Sequence, residues 1–396
     1  MVADVCHPEG GIQRMKILIT TDLFTTSTNG VVTSVRNLYE ELIEKGHDVR
    51  ILTLSGDRES YKEDHIYYIK SIPIGFVYPD VRMPISYRNR LIKELIDWKP
   101  DVVHSQCEFF SFQFAQRIAK LTGAPIVHTY HTLYEQYVTY VVPSKFIGKQ
   151  VVRQLSRMRL KRVKKVIAPT SKVEDALRGY GVKADIQVVP SGISLEQHHS
   201  RVSEEERLAK RNELGIPENH NVLLNLGRLG TEKNLGELLT FFAEALQHNP
   251  NLTFLIVGDG PDKAHLEKQA LELGINENVI FTGMVDPKEV QKYYQLADVF
   301  VNASTSETQG LTYIEAAANG LPLLCRKDPC LNDVIKDGVN GYEYTNLEEF
   351  IERLNDILMN PEWRKSAGEQ SEKIAEFFGK EHFVESVEDI YEEITE

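Results

Sequence analysis

One alternating pattern constrains this 396-residue chain more than any other feature. Short strands rich in Val, Ile and Leu alternate with helical stretches from about residue 16, and the whole pattern runs through twice. Strands are expected at 16–20, 48–54, 66–70, 101–105, 125–130, 164–168 and 186–189, then again at 221–227, 253–257, 278–282, 298–302 and 321–325. Helices fit between them at 30–45, 88–97, 110–121, 145–162, 171–179, 202–213, 234–247, 262–273, 287–295, 311–319 and 331–336, and residues 346–394 read as helix only. Apolar strands separated by helices need cover on both faces, which parallel, doubly wound sheets supply. The polar stretch 195–220 separates the two runs. The expected fold class is therefore α/β, two doubly wound Rossmann-like domains facing across a cleft. The boundaries read as a tail over 1–14, a first domain over 15–195, a second over 196–378, and a final helix over 379–396 able to pack back on the first domain.

Composition removes several classes. A chain 42% hydrophobic and 26% charged folds as a globular protein, not as a disordered or fibrous one. No apolar run approaches the roughly 20 residues that a spanning helix needs. Asp4 and Glu9 stand where a signal peptide needs basic residues, so the first 14 residues read as a tail. Cys6, Cys107, Cys325 and Cys330 form no CxxC pair, and reduced thiols in a cytoplasmic protein are expected. Cys325 and Cys330 lack partners at zinc spacing and read as structural, so no metal site is expected.

Charge is split between the halves: residues 1–200 carry a net +6 and residues 201–396 a net −19. Most of the basic excess is local. No acidic residue falls between Glu135 and Glu174, and 145–165 holds nine basic residues. Pro143-Ser144 is a helix start. At 3.6 residues per turn, Lys145, Lys149, Arg153 and Arg157 fall on one side, with Lys161 continuing the basic run, and Ile147, Val151, Val152, Leu155 and Met158 on the other. Two readings stay open. Either the apolar side packs on the domain core, or the helix meets an anionic membrane surface, each Lys or Arg contributing about 1 kcal/mol. The segment 82–98 offers Arg82, Arg88, Arg90 and Trp98 to the same surface, or is an ordinary solvated edge. Nucleic acid is excluded as a partner by the lack of interleaved aromatics and of any zinc, RRM-like or helix-turn-helix signature.

Four stretches of the second half follow strands: Gly227-Arg228-Leu229-Gly230-Thr231-Glu232-Lys233-Asn234, Gly258-Asp259-Gly260-Pro261, Phe281-Thr282-Gly283-Met284, and Ser306 to Ala316. All sit at strand C-terminal ends, where an α/β cleft forms. A helix beginning near Gly310 presents the amides of Gly310, Leu311 and Thr312 and a positive dipole end, which suit a diphosphate. Arg228 and Lys233 can neutralise the same group. Glu307 precedes the helix and projects toward what the phosphate carries, and Glu315 can reach an adjacent sugar.

The spacing Glu307-x7-Glu315, together with the GRLxxEKN, GDGP and FTG stretches in that order, resembles the retaining glycosyltransferases of family 4, over about residues 16–390. Asn29-Gly30 after the first strand resembles the family's loop near the donor phosphates, where Gly30 permits close approach. The segment from Thr129 to Glu135 resembles its His-Thr segment, with His131 at the histidine that approaches the donor sugar. Ala168 to Ser171 and Val189 to Ile193 match its domain-junction stretches. The resemblance implies the glycosyltransferase-B fold, a UDP-hexose co-substrate, and retention. It implies Glu307, His131, Arg228 and Lys233 as catalytic residues. It places Gly30, Gly258, Gly283, Met284, Thr308, Gln309, Gly310, Leu311, Thr312 and Glu315 around the donor, with uracil on Gly283-Met284. The wording TSETQGLTYIEA and TYHTLYEQY is most similar to bacterial diacylglycerol glucosyltransferases. That implies a diacylglycerol acceptor, a membrane-facing basic helix and peripheral attachment to the inner face of the cell membrane. No cofactor is required, and Mg²⁺ is expected at most to stimulate. A transferase with a soluble acceptor, or a UDP-sugar epimerase of the same fold, is the alternative.

Overall fold

The structure is a computed structural model that describes residues 14–24, 29–74, 82–135, 144–199 and 201–396. The expected tail, except Arg14, lies outside the described residues. The first sheet has nine strands: β1 (Lys16–Thr20), β2 (Asp48–Ser55), β3 (Tyr61–Glu63), β4 (Ile66–Pro73), β5 (Arg82–Pro84), β6 (Val102–Ser105), β7 (Ile126–Thr129), β8 (Lys165–Ala168) and β9 (Asp185–Val188). Their order is β3-β4-β2-β1-β6-β7-β8-β9, with β5 beside β4. Only β3 and β5 run antiparallel, both against β4. The second sheet, all parallel, comprises β10 (Asn221–Leu226), β11 (Leu252–Val257), β12 (Val279–Gly283), β13 (Val299–Asn302), β14 (Leu323–Arg326) and β15 (Gly341–Tyr344), in the order β12-β11-β10-β13-β14-β15.

Strand alternation divides each sheet's apolar residues between two faces. In β1, Ile17 and Ile19 join a core with Val35, Leu38 and Val387, while Leu18 joins Leu52, Phe112, Ile118 and Val166 on the other face. In β10, Val222 and Leu224 pack with Phe300 and Ile314, while Leu223 packs with Phe254, Phe242 and Val301. Each half therefore has its own covered sheet.

Two differences from the expected elements have local causes. Residues 331–336 form no helix. A 3-10 turn, Pro329–Leu331, is followed by a loop in which Asn340 accepts from Lys336 N–H (2.7 Å) and donates to Val334 O (3.0 Å), bonds that replace helical ones. The unexpected strand β15 is four residues long and begins at a glycine. A Cβ on Gly341 would lie 2.2 Å from Leu323 O, so only glycine permits the pairing with β14.

The final helix, Lys380–Thr395, returns to the first half. Phe383, Val384, Val387, Ile390 and Tyr391 fill the face of the first sheet beside helix Gly30–Glu44. Its polar contacts are also specific. Met15 N–H donates to His47 Nδ1 (3.1 Å), which turns the His47 Nε2 proton toward Glu388 Oε1 at 2.7 Å. Tyr391 Oη lies 2.6 Å from His104 Nδ1. The chain enters this helix against Gly192, where a Cβ would stand 2.6 Å from Lys380 Cα and 2.8 Å from Phe383 Cβ. Gly192→Ala is therefore expected to lower stability by about 1–3 kcal/mol, read from the midpoint of urea unfolding. Gly179→Ala, at a helix end where the Cβ meets nothing within 4 Å, serves as the comparison and should not lower the midpoint.

Candidate active site

In both sheets the strand order reverses at one point, between β1 and β6 and between β10 and β13. Loops that leave the carboxyl ends of such strands diverge and open a crevice. After β1, Asn29 caps the helix Gly30–Glu44, its Oδ1 accepting from Val32 N–H at 3.0 Å. After β13, Ser304 and Ser306 pair hydroxyls at 2.9 Å and lead to Glu307, Thr308, Gln309 and Gly310. Gly310 has φ 78°, and a Cβ there would strike the Tyr313 ring at 2.3 Å. Glycine is thus required where the helix Leu311–Ala318 begins, and no side chain caps that helix. A Cβ on Gly30 would lie 3.7 Å from Leu311 Cδ1, so the two helix N-termini face one another across the crevice.

Glu307 meets Lys233, Oε1 to Nζ 2.5 Å. Burial alone pushes the Glu307 carboxyl up. The Lys233 charge and hydrogen bond, the Ser304 hydrogen bond and the Lys172 charge outweigh it and hold the group below the usual carboxylate range. Glu307 is therefore ionised at neutral pH. Arg228 closes an ion pair with Glu232 one turn away, on the same β10 loop. That loop is zipped to the next: Leu229 N–H donates to Asp259 O at 2.9 Å, and Gly258 N–H to Gly283 O at 3.1 Å. Gly258 has φ 132°, and a Cβ on it would stand 2.0 Å from Gly227 O. Gly283, Asp259 and Lys263 Nζ form one small floor, with the Met284 side chain 70% exposed above the end of β12. Thr312 follows Leu311 in the first turn of the Leu311–Ala318 helix and is half-buried. Glu315 accepts from Tyr294 Oη at 2.8 Å, and burial holds its carboxyl above the usual range. At this end of the second sheet the uncapped start of the Leu311–Ala318 helix, Lys233 and the ionised Glu307 come together, with Arg228 on the β10 loop.

The first half supplies the opposite wall. His131 Nε2 lies 2.7 Å from Gln106 Oε1, an acceptor, so the proton sits on Nε2 and Nδ1 keeps its lone pair. Burial, with a smaller contribution from His128, lowers the His131 pKa to about 3, so the ring is neutral at neutral pH. Behind it, His128 lies 3.3 Å from Glu108, and Tyr134 Oη donates to Glu108 at 2.7 Å. Asp22 accepts from Ser111 N–H at 2.7 Å, and burial lifts its pKa to about 6. Gln106 and Glu108 carry no motif, which is why the pattern of the sequence did not mark them.

The Glu307 loop is laced to the first half. Thr170 Oγ1 donates to Thr308 O (2.6 Å), and Thr308 Oγ1 to His131 O (2.8 Å). Gln309 is buried, its amide accepting from Ser191 N–H (2.8 Å) and donating to Ser191 O (2.9 Å). The side chains of Thr308 and Gln309, and the Thr308 carbonyl, are thus spent on the domain junction. Lys172 Nζ donates to Thr305 O and Glu307 O, both at 2.9 Å, and pairs with Asp328 at 2.8 Å.

The basic helix, Lys145–Leu160, departs from the reading in which its apolar side packs inward. Val152 and Leu160 are buried, with Gly148 and Ser156 on the same stripe. Phe146, Ile147, Val151, Leu155 and Met158 are all exposed. The stripe that packs uses small residues at four-residue spacing, which lets the helix lie close while the bulkier stripe points away. Lys149 and Arg153 approach Glu135 at 3.7 and 3.4 Å, and Arg157 and Lys161 are exposed. The Lys145 side chain lies outside what the structure describes. Arg82 is tied down instead of free, donating to Ser71 Oγ (2.9 Å) and O (3.0 Å). Trp98 donates to Asp48 (2.9 Å) under the Arg50 guanidinium, 4.2 Å from the ring centroid. Among the described residues no helix is long and apolar enough to cross a membrane.

Two doubly wound sheets, each with its strand order reversing at one switch point, define the glycosyltransferase-B fold. The chain belongs to the family 4 glycosyltransferases: residues 28–197 match the model of Glycosyltransferase Family 4, and 206–374 that of Glycosyl transferases group 1. It is 38% identical over 332 residues to the alpha-monoglucosyldiacylglycerol synthase of Streptococcus pneumoniae, covering 83% of this chain and 75% of that protein. It is 33% identical over 389 residues to the synthase of the same name from Acholeplasma laidlawii, covering 95% and 96%. Among solved structures, Anabaena HepE in complex with UDP and glucose superposes with TM-score 0.76 at 16% identity, covering 96% of this chain and all of that one.

The neutral state of half-buried His131 and buried His104 has a consequence for stability. Both pKa values are lowered by burial. The unfolded chain therefore binds protons that the folded chain refuses, and stability falls as pH drops below about 6.5. Each such histidine contributes at most about 1.4 kcal/mol per pH unit. His131→Asn should flatten the pH dependence of the urea midpoint between pH 4.5 and 7, and an unchanged slope would show that His131 titrates normally.

Proposed function

We propose that this enzyme transfers a hexose, glucose by preference, from a UDP-sugar to the free hydroxyl of diacylglycerol, with retention, at an anionic membrane surface. The observation that carries the lipid acceptor is the exposed apolar stripe on the basic helix. Burying side chains of this size contributes about 1.5–3 kcal/mol each when complete, against about 1 kcal/mol for each Lys or Arg near the surface. The apolar term therefore outweighs the electrostatic one, which Glu135 further reduces at Lys149 and Arg153. The names of the two synthases agree with this acceptor, and the ligands named for HepE agree with a UDP-sugar. The same helix supports peripheral attachment at the cytoplasmic face.

The residues then divide the work. Lys233, Arg228 and the amides of Gly310, Leu311 and Thr312 hold the diphosphate and take up its growing charge. Gly258 and the Gly283-Met284 backbone seat the uridine, and Glu315 takes the ribose hydroxyls. Glu307 orients the hexose through its hydroxyls, and the Nδ1 lone pair of neutral His131 accepts from the sugar's 6-hydroxyl. The bond from C1 to the phosphate oxygen breaks through an oxocarbenium-like state. The acceptor oxygen bonds C1 on the same face, and its proton passes to the departing phosphate oxygen. No protein base is required. Mg²⁺, if it acts, assists the leaving phosphate from solution.

Two measurements test this. With radiolabelled UDP-glucose or UDP-galactose and diacylglycerol in anionic vesicles, Glu307→Ala should cut transfer by about 10²–10³-fold while UDP still binds. Transfer near the wild-type rate would remove Glu307 from the site. In vesicle flotation, the triple change Ile147→Ser, Leu155→Ser and Met158→Ser should abolish binding, whereas raised salt should only weaken it. Flotation unchanged by the triple variant would return the acceptor to the soluble class.

A further inference from the structure

Lys172 belongs to none of the stretches that mark the pocket, yet it grips the loop on which Glu307 sits. It lies in the first turn of the helix Ser171–Gly179 of the first half, while the loop belongs to the second. An ammonium has three protons, and Lys172 directs them to Thr305 O, Glu307 O and the Asp328 carboxylate, at 2.9, 2.9 and 2.8 Å. Asp328 is itself fixed, accepting from Cys330 N–H at 2.9 Å. The Lys172 and Asp328 side chains are only 14% and 6% exposed, so water screens the pair little. The contact joins two halves that each have their own core, so it is not needed to cover either sheet.

We propose that Lys172 is a positioning residue for transfer: reaching across the cleft, it pins the carbonyls of Thr305 and Glu307 and so aims the Glu307 carboxylate when the domains are closed. This rests on the reading of Glu307 as the hexose-orienting group. Thr170, two residues earlier, acts on the same loop by donating to Thr308 O, so one short stretch of the first half holds residues 305–308. Residues 305–308 carry the Glu307 carboxylate, whereas the amides after Gly310 belong to the following helix, Leu311–Ala318, which Lys172 does not contact. UDP, by contrast, is held by groups of the second half that Lys172 does not touch. Loss of Lys172 should therefore damage the chemical step and spare nucleotide binding.

The test uses the full-length enzyme with radiolabelled UDP-glucose and diacylglycerol in anionic vesicles. Lys172→Ala should lower kcat about 100-fold, the cost of a misplacement near 1 Å. KM for UDP-glucose and the Kd of UDP by calorimetry should stay within about threefold. Propylamine added to Lys172→Ala should restore part of kcat by returning an ammonium to the gap. Lys172→Arg keeps the charge in a planar fork that cannot reach three acceptors in the same directions. It should lose about tenfold in kcat with UDP binding intact, and it carries the test if the alanine variant does not fold. A kcat within about threefold of wild type in the folded variants overturns the proposal, as does parallel loss of kcat and UDP binding. Glu307→Ala measured alongside separates the two readings. If it retains transfer, or if the wild type transfers nothing, the Glu307 reading falls and takes this one with it. If it loses transfer while Lys172→Ala does not, only the role of Lys172 is wrong.

Discussion

A carboxylate kept ionised at the bottom of a crevice needs a cation against it. Glu307 has Lys233 at 2.5 Å, and this contact sets much else. Without it, burial would drive the carboxyl toward its neutral form. The two residues come from different loops, after β10 and after β13, so those strands must be neighbours. They are, at the point where the strand order reverses. The positive φ of Gly258 follows from a similar closeness of loops, because a Cβ there would stand 2.0 Å from Gly227 O.

The two walls of the crevice are unlike in chemistry. The second half offers cations, amides and carboxylates, a set suited to gripping an anionic leaving group. The first half offers a neutral histidine and a buried network of Gln106, Glu108, His128 and Tyr134. Thr170, Lys172, Ser191 and His131 O join the walls through the Glu307 loop. The site is complete only when both halves are present and together.

The basic helix follows a different logic. A helix that packs by Gly148, Val152, Ser156 and Leu160 can turn its bulkier apolar stripe outward. Leaving five such side chains in water is unfavourable for a free protein and useful for one whose acceptor lies in a bilayer.

Sequence alone determined a good deal here. The doubled alternation of β and α elements requires parallel sheets with both faces covered, and local pattern suffices for that. The Glu307-x7-Glu315 spacing, with Arg228 and Lys233 before it, stood out because each stretch directly follows a strand, and the fold brings Lys233 and Glu307 together across 74 residues. Sequence did not disclose Lys172, Asp328, Gln106 or Glu108, since none sits in a motif and each matters only through a contact that the fold creates. Nor did it settle which stripe of the basic helix faces out. Amphipathic spacing tells that two faces differ, and only packing against the rest of the fold decides which one is covered. Tertiary structure made those choices because cross-domain hydrogen bonds and burial depend on distances that no local pattern encodes.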